Sequence, residues 1–140
     1  MNLGDIVDIG VSGLVAQRAR LAATASNLAN AETTRTAEGG PYRRRDPVFS
    51  ARALDPFGDR LEKRVRQVEV DRIVADTRPP TRKLDPGHPD ADANGYVELP
   101  NIDPVSELAN MLSARNSFEA NLLILRKARE MGDAALRIGR

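Results

Sequence analysis

The stretch that decides the fold runs from Asp103 to Ile138: DPVSELANMLSARNSFEANLLILRKAREMGDAALRI. Asp103 is a good helix cap, and Pro104 suits the first helical position. Apolar residues then recur at Leu108, Met111, Leu112, Phe118, Leu122, Leu125 and Leu136. With Leu108 as heptad position a, the a/d series reads Leu108, Met111, Arg115, Phe118, Leu122, Leu125, Arg129, Gly132, Leu136. The pattern predicts one helix about 50 Å long at 1.5 Å per residue. Its coiled-coil-like stripe is interrupted at Arg115 and Arg129. A stripe of that length needs a partner.

The other end of the chain supplies one. Residues 5–30 read as a first long helix, with Val7, Leu14, Leu21 and Leu28 each seven apart. Val11 and Ala25 widen the stripe and Arg18 interrupts it. Ala16, Ala19, Ala22, Ala23 and Ala29 favour helix and permit close approach. Gly4, Gly10 and Gly13 weaken the first turns. Leu14, Leu21 and Leu28 are expected to meet Leu108, Phe118, Leu122 and Leu125, within the chain or between copies. Asn27 and Asn30 fall at the end of this helix, where capping and an interface role are both open.

The middle changes character. Residues 31–47 hold turn formers (Thr33, Thr34, Thr36, Gly39, Gly40, Pro41) and then Tyr42-Arg43-Arg44-Arg45. Three Arg in a row suit phosphate, a strand edge or a protein contact. With only two Tyr, three Phe and no Trp, little is left to stack on bases, and nucleic acid is disfavoured. Short strands are expected at Val48-Phe49 and over Val65, Val68, Val70, Ile73 and Val74, with a turn at Pro56-Phe57-Gly58-Asp59. Residues 76–95 read as an extended loop, and Tyr96–Pro100 as a strand leading into the last helix. The fold class is therefore α+β, mainly α: long N- and C-terminal helices paired as a coiled coil, with a small β-containing middle. The division is 1–31, 32–102 and 103–140.

Composition excludes several functions. Twenty-one basic and 20 acidic residues give a net charge of +1 over 140 residues, no basis for binding polyanions by the whole chain. Without Cys there is no disulfide or cysteine-ligated metal. No run approaches ~20 apolar residues, so no membrane span is expected. Asp5 and Asp8 stand where a signal peptide is basic, and Arg18 and Arg20 break its apolar run. The expectation is a chain that leaves the cytoplasm, if it does so, without a cleaved leader.

The candidate chemical groups are sparse. His88 is the one histidine; between Gly87 and Pro89 it has no second His or Cys for zinc and no nucleophile elbow. It reads as a residue that hydrogen-bonds its loop or a neighbouring subunit. Asp90-Ala91-Asp92-Ala93-Asn94-Gly95 matches the first six positions of a calcium loop. The twelfth position, however, is Asn101 rather than Glu, and the flanks are not helical. Asn94-Gly95 is also an ordinary hairpin signal. Neither a phosphate loop nor a dinucleotide fingerprint is present, so no enzyme activity, cofactor or metal is expected.

Taken together, the motifs become specific. Asn27-Leu28-Ala29-Asn30-Ala31-Glu32-Thr33 resembles the N-terminal signature of flagellar rod and hook proteins. Tyr42-Arg43-Arg44 narrows the match. Asp85-Pro86-Gly87-His88-Pro89-Asp90-Ala91-Asp92-Ala93-Asn94-Gly95-Tyr96-Val97, followed by Leu99-Pro100-Asn101-Ile102-Asp103, is similar to the proximal-rod family of the bacterial flagellar basal body, the FlgC type. Glu119-Ala120-Asn121 fits as well, while Asn116-Ser117-Phe118 and Leu84 depart from the family's aromatic preferences. The resemblance implies a structural subunit that assembles helically into a hollow periplasmic drive shaft, transmitting torque and conducting exported proteins. It implies export by the flagellar type III apparatus. The partners it implies are copies of itself, other rod proteins, the adaptor at the export gate and the surrounding ring, with no nucleic acid. The expected assembly interface is Val7, Leu14, Leu21, Asn27, Leu28, Asn30, Leu108, Met111, Arg115, Phe118, Leu122, Leu125 and Arg129. The family-signature loop is Asp85, Pro86, Gly87, His88, Pro89, Asp90, Asn94, Gly95 and Tyr96.

Overall fold

In the computed structural model, which describes residues 3–53 and 66–138, the two expected helices are α1 (Leu3–Ala29) and α2 (Pro104–Ile138). Local chemistry sets their ends. The Asp103 carboxylate accepts from the backbone N–H of Val105 (3.2 Å) and of Ser106 (3.3 Å) and from the Ser106 hydroxyl (2.5 Å). It thereby satisfies N–H groups that the first turn leaves free. The Ser106 hydroxyl, then these amides, hold the Asp103 carboxyl below its ordinary range. At the far end of α1 the Asn30 side-chain amide donates to the Ser26 carbonyl at 2.9 Å, and the Thr33 hydroxyl donates to Asn30 Oδ1 at 3.2 Å. Asn30 is thus a capping residue within the chain, one of the two roles its position left open.

The middle forms two separate antiparallel pairs. Strand β1 (Arg45–Ala53) pairs with β2 (Arg66–Ala75), from Arg45 opposite Ala75 to Ala53 opposite Arg66. A bulge between Val48 and Phe49 skips Asp71. Strand β3 (Thr81–Leu84) pairs with β4 (Tyr96–Leu99), Thr81 opposite Leu99. Residues 81–84 were expected to be loop. They carry no apolar alternation because both faces of β3 are exposed; the strand is defined by its partner alone. The turn expected at Pro56–Asp59 lies outside the described residues.

The helices pack antiparallel, and close contacts fix the register. A Cβ on Gly10 would lie 2.6 Å from Leu125 Cδ2, and one on Gly13 2.8 Å from Asn121 Nδ2. Farther along, Arg20 meets Asn110 and Asn27 meets Glu107. On α2 the row Met111, Phe118, Leu125, Gly132 lies in this seam as the stripe predicts. The second row does not. Glu107, Ala114 and Ala128 are the buried residues, with Asn121 between them, one position before Leu108, Arg115, Leu122 and Arg129. On α1 the buried residues are Gly10, Ala16, Ala23, Thr24 and Asn27, while Val7, Leu14, Leu21 and Leu28 are half-buried. The leucine rows lie beside the seam, half-buried at Leu14, Leu21 and Leu122 and 47% exposed at Leu108. The physical reason is steric: glycine and alanine let two backbones approach more closely than facing leucines can. Hydrophobicity alone does not mark which row lies deepest.

Candidate functional site: a polar clasp between both helices and the β region

Asn27 sits where α1, α2 and β1 converge, with 0% of its surface exposed. Its side-chain amide behaves like a peptide group laid against strand β1. Nδ2 donates to the Arg45 carbonyl at 2.9 Å, and Oδ1 accepts the Arg45 N–H at 2.8 Å. The second Nδ2 hydrogen goes to Glu107 Oε2 at 3.2 Å, and the Tyr42 hydroxyl donates to Oδ1 at 3.2 Å. Every donor and acceptor of the amide is thereby engaged. Within the chain Asn27 thus ties α1 to β1 and α2.

Glu107 is the charge at the centre of this clasp, 1% exposed. Burial of a lone carboxylate is costly, and pairing offsets it. Arg44 Nε donates to Glu107 Oε1 at 2.6 Å, and the same guanidinium also contacts Asp46. Partial burial pulls the Arg44 pKa down, but Glu107 and Asp46 outweigh it, and the group stays above its ordinary value. The neighbouring arginines are also engaged. The Arg45 guanidinium lies 5.6 Å from the Tyr42 ring centroid, a cation–π contact, and Arg43 donates to the Asp76 carbonyl at 3.3 Å. The arginine run is therefore the root of strand β1. Glu107 was missed in the sequence; the signal for it is an acidic residue in the first turn of α2 beside the apolar stripe.

The signature loop links β3 to β4. Asp85 N–H donates to the Gly95 carbonyl at 2.9 Å, and Gly95 has φ +78°, where a Cβ would lie 3.1 Å from Pro86. Glycine fits there for both reasons. Asp92 Oδ1 accepts the Asn94 and Tyr96 N–H groups at 2.8 and 2.9 Å. Those bonds, with that from Tyr96 the larger, hold its carboxyl below the ordinary range. His88 Nδ1 accepts the Asp90 N–H at 3.1 Å, as expected of a loop residue. Asp90 takes the Thr34 hydroxyl at 2.7 Å and pairs with Arg35 at 3.6 Å. The two carboxylates that suggested a calcium loop are thus structural acceptors, Asp92 closing its own turn and Asp90 tying the loop to the segment after α1. Pro86, Gly87, Pro89, Asn94 and Tyr96 are exposed around this frame.

Both joined ends match known families. Residues 8–35 match the model for flagella basal body rod protein, and residues 93–138 match that for the flagellar basal body rod FlgEFG protein C-terminal. They define the class, a rod-type structural protein of the flagellum. The chain is 38% identical to the flagellar basal-body rod protein FlgC of Borreliella burgdorferi, over 99% of this chain and 98% of that one. It is likewise 38% identical to FlgC of Salmonella typhimurium, with 99% of each covered, and 34% identical to that of Bacillus subtilis, with 96% of each covered. The chain belongs to the flagellar basal-body rod protein FlgC family and is a structural subunit of the basal-body rod. Among the described residues, no helix is long and apolar enough to cross a membrane.

Proposed function

We propose that the helical hairpin is the packing core of a hollow, helically assembled proximal rod in the periplasm. In this reading the hairpin lines the tube and the β region faces outward toward neighbours. Copies of this chain, other rod proteins, the adaptor at the export gate and the surrounding ring are its partners, and the flagellar type III apparatus delivers it. Torque passes through packed contacts, while exported proteins move along the bore.

The observation that carries this reading is the leucine flank, half-buried along most of its length and exposed at Leu108. Val7, Leu14, Leu21 and Leu28 on α1, with Leu108 and Leu122 on α2, run beside a seam already filled by other residues. Long apolar strips left at a surface mark interaction sites. Arg115 and Arg129 are exposed on the same flank, where they suit intersubunit contacts. Met111, Phe118 and Leu125 complete the proposed interface, Leu125 also meeting Gly10 within the chain.

Leu122→Asp tests the proposal. The charge falls on the flank rather than in the seam, so the subunit is still made and exported. Rod assembly and motility are lost. Normal rods in that variant would contradict the role given to the flank.

A further inference from the structure

The signature loop carries the chain's one Asn–Gly pair, Asn94–Gly95. Such a pair is open to a slow reaction, because glycine has no side chain to shield its amide nitrogen. The Gly95 nitrogen attacks Asn94 Cγ, the side-chain nitrogen leaves as ammonia, and a five-membered imide forms. Water then opens the ring at either carbonyl. The product is aspartate, or isoaspartate, in which the backbone runs through the side chain. Water is the only co-reactant, and Asn94 is exposed to it.

The turn holds the pair away from this geometry. Gly95 N–H donates to the Asp92 carbonyl at 2.9 Å, and Asp92 N–H donates to the Tyr96 carbonyl at 2.8 Å. Gly95 has φ +78°, while neither Ala93 nor Asn94 has a positive φ. That combination is a type I turn over residues 92–95, ended by a glycine bulge. Asn94, its third residue, then has ψ of about 0°. Ring closure needs Cβ and the Gly95 nitrogen eclipsed about the Asn94 Cα–C bond, roughly a third of a turn away. Rotation about that bond pulls Gly95 N–H off Asp92, and the Gly95 carbonyl off the Asp85 N–H that it accepts at 2.9 Å. The Asp92 carboxylate opposes the rotation as well. Its Oδ1 holds the N–H groups of Asn94 and Tyr96, one on each side of the bond that would turn.

We propose that Asn94 is a latent deamidation site, which the Asp92 turn keeps closed in the folded chain. Attack waits on opening of the turn. Once it has occurred, the turn cannot re-form as before in the isoaspartate product. One extra backbone atom then separates the two amides that Asp92 Oδ1 holds, and Tyr96, the first residue of β4, loses its anchor. Either product also adds a carboxylate to a loop tip that already carries Asp90 and Asp92.

The full-length chain, natural and with Asp92→Ala or Asp92→Asn, is aged at mildly alkaline pH with and without guanidinium chloride. Peptide mass spectrometry with fragmentation then counts the conversion at residue 94. The natural chain is expected to convert roughly tenfold more slowly when folded than in denaturant, equivalent to about 1.4 kcal/mol, since two backbone hydrogen bonds must open first. Asp92→Ala, with its helices intact by circular dichroism, moves toward the denatured rate. Asp92→Asn keeps an Oδ1 acceptor for both amides and stays slow. Equal rates for the natural chain with and without denaturant overturn the proposal, whatever the variants do. A folded Asp92→Ala chain that converts as slowly as the natural one, or a folded Asp92→Asn chain that converts as fast as denatured protein, overturns the role given to Asp92. Should Asp92→Ala fail to fold, the natural chain and Asp92→Asn decide the matter between them.

Discussion

Replacing Asn27 by Ala removes four hydrogen bonds from a site with no exposed surface. Three of them are neutral, and such bonds contribute ~0.5–1.5 kcal/mol each; the one to the Glu107 carboxylate is charge-assisted, at ~1.5–3 kcal/mol. Two losses are partly offset. The Tyr42 hydroxyl keeps the Ser26 Oγ contact at 3.1 Å, and alanine is the better helix former by up to ~0.7 kcal/mol. The expected destabilisation is about 3–4 kcal/mol, a large share of the ~5–15 kcal/mol available to a folded domain. Urea unfolding followed by circular dichroism reads it as a lower midpoint at unchanged slope. Asn27→Asp sharpens the test. It keeps both accepted bonds, loses both donated ones and sets a second carboxylate about 3 Å from Glu107. A second carboxylate there adds like-charge repulsion to the lost bonds, so Asn27→Asp costs more than Asn27→Ala. A loss under about 1 kcal/mol for Asn27→Ala, or an Asn27→Asp variant no less stable than Asn27→Ala, would refute the clasp as described.

Two further outcomes follow from other contacts. Gly10→Ala would ordinarily stabilise a helix by about 1 kcal/mol, but here the new Cβ meets Leu125 Cδ2 at 2.6 Å, so unfolding experiments should show net destabilisation, reversed when Leu125→Ala is added; simple additivity of the two changes would mean that the seam has another register. The Asp76 carboxyl is held at about 2 by the Arg78 side chain and, secondarily, the Arg78 amide. Because this folded-state value is depressed, the link is present above the ordinary carboxylate range and is lost as pH falls through about 2; an NMR titration should show that midpoint, returning toward the ordinary range in Arg78→Ala.

Much of the architecture was legible because it is local. Asp103 and Pro104 announce the start of α2, and period-seven leucines without an interior Pro announce two long helices. The signature loop was also legible. Asp92 and Gly95 build their turn from bonds spanning a few residues, which is why the pattern resembles a calcium loop yet works as an Asx turn. Strand β3 was not legible, since a fully exposed strand leaves no burial pattern in the residues that form it.

The sequence by itself determined which segments are helical, where they begin and which loop closes the β3–β4 pair, because capping, turn and periodicity rules act over a few residues. Tertiary structure alone decided what faces what. Leucine periodicity marks an apolar side of each helix, but the seam went to Gly10, Gly13, Ala114 and Ala128, because small side chains let the backbones close. The leucines were displaced to a flank. Asn27, Glu107 and Arg44 became one site for a similar reason. They are far apart in the chain, and a buried carboxylate and a buried amide are stable only after folding has brought each the partners it needs.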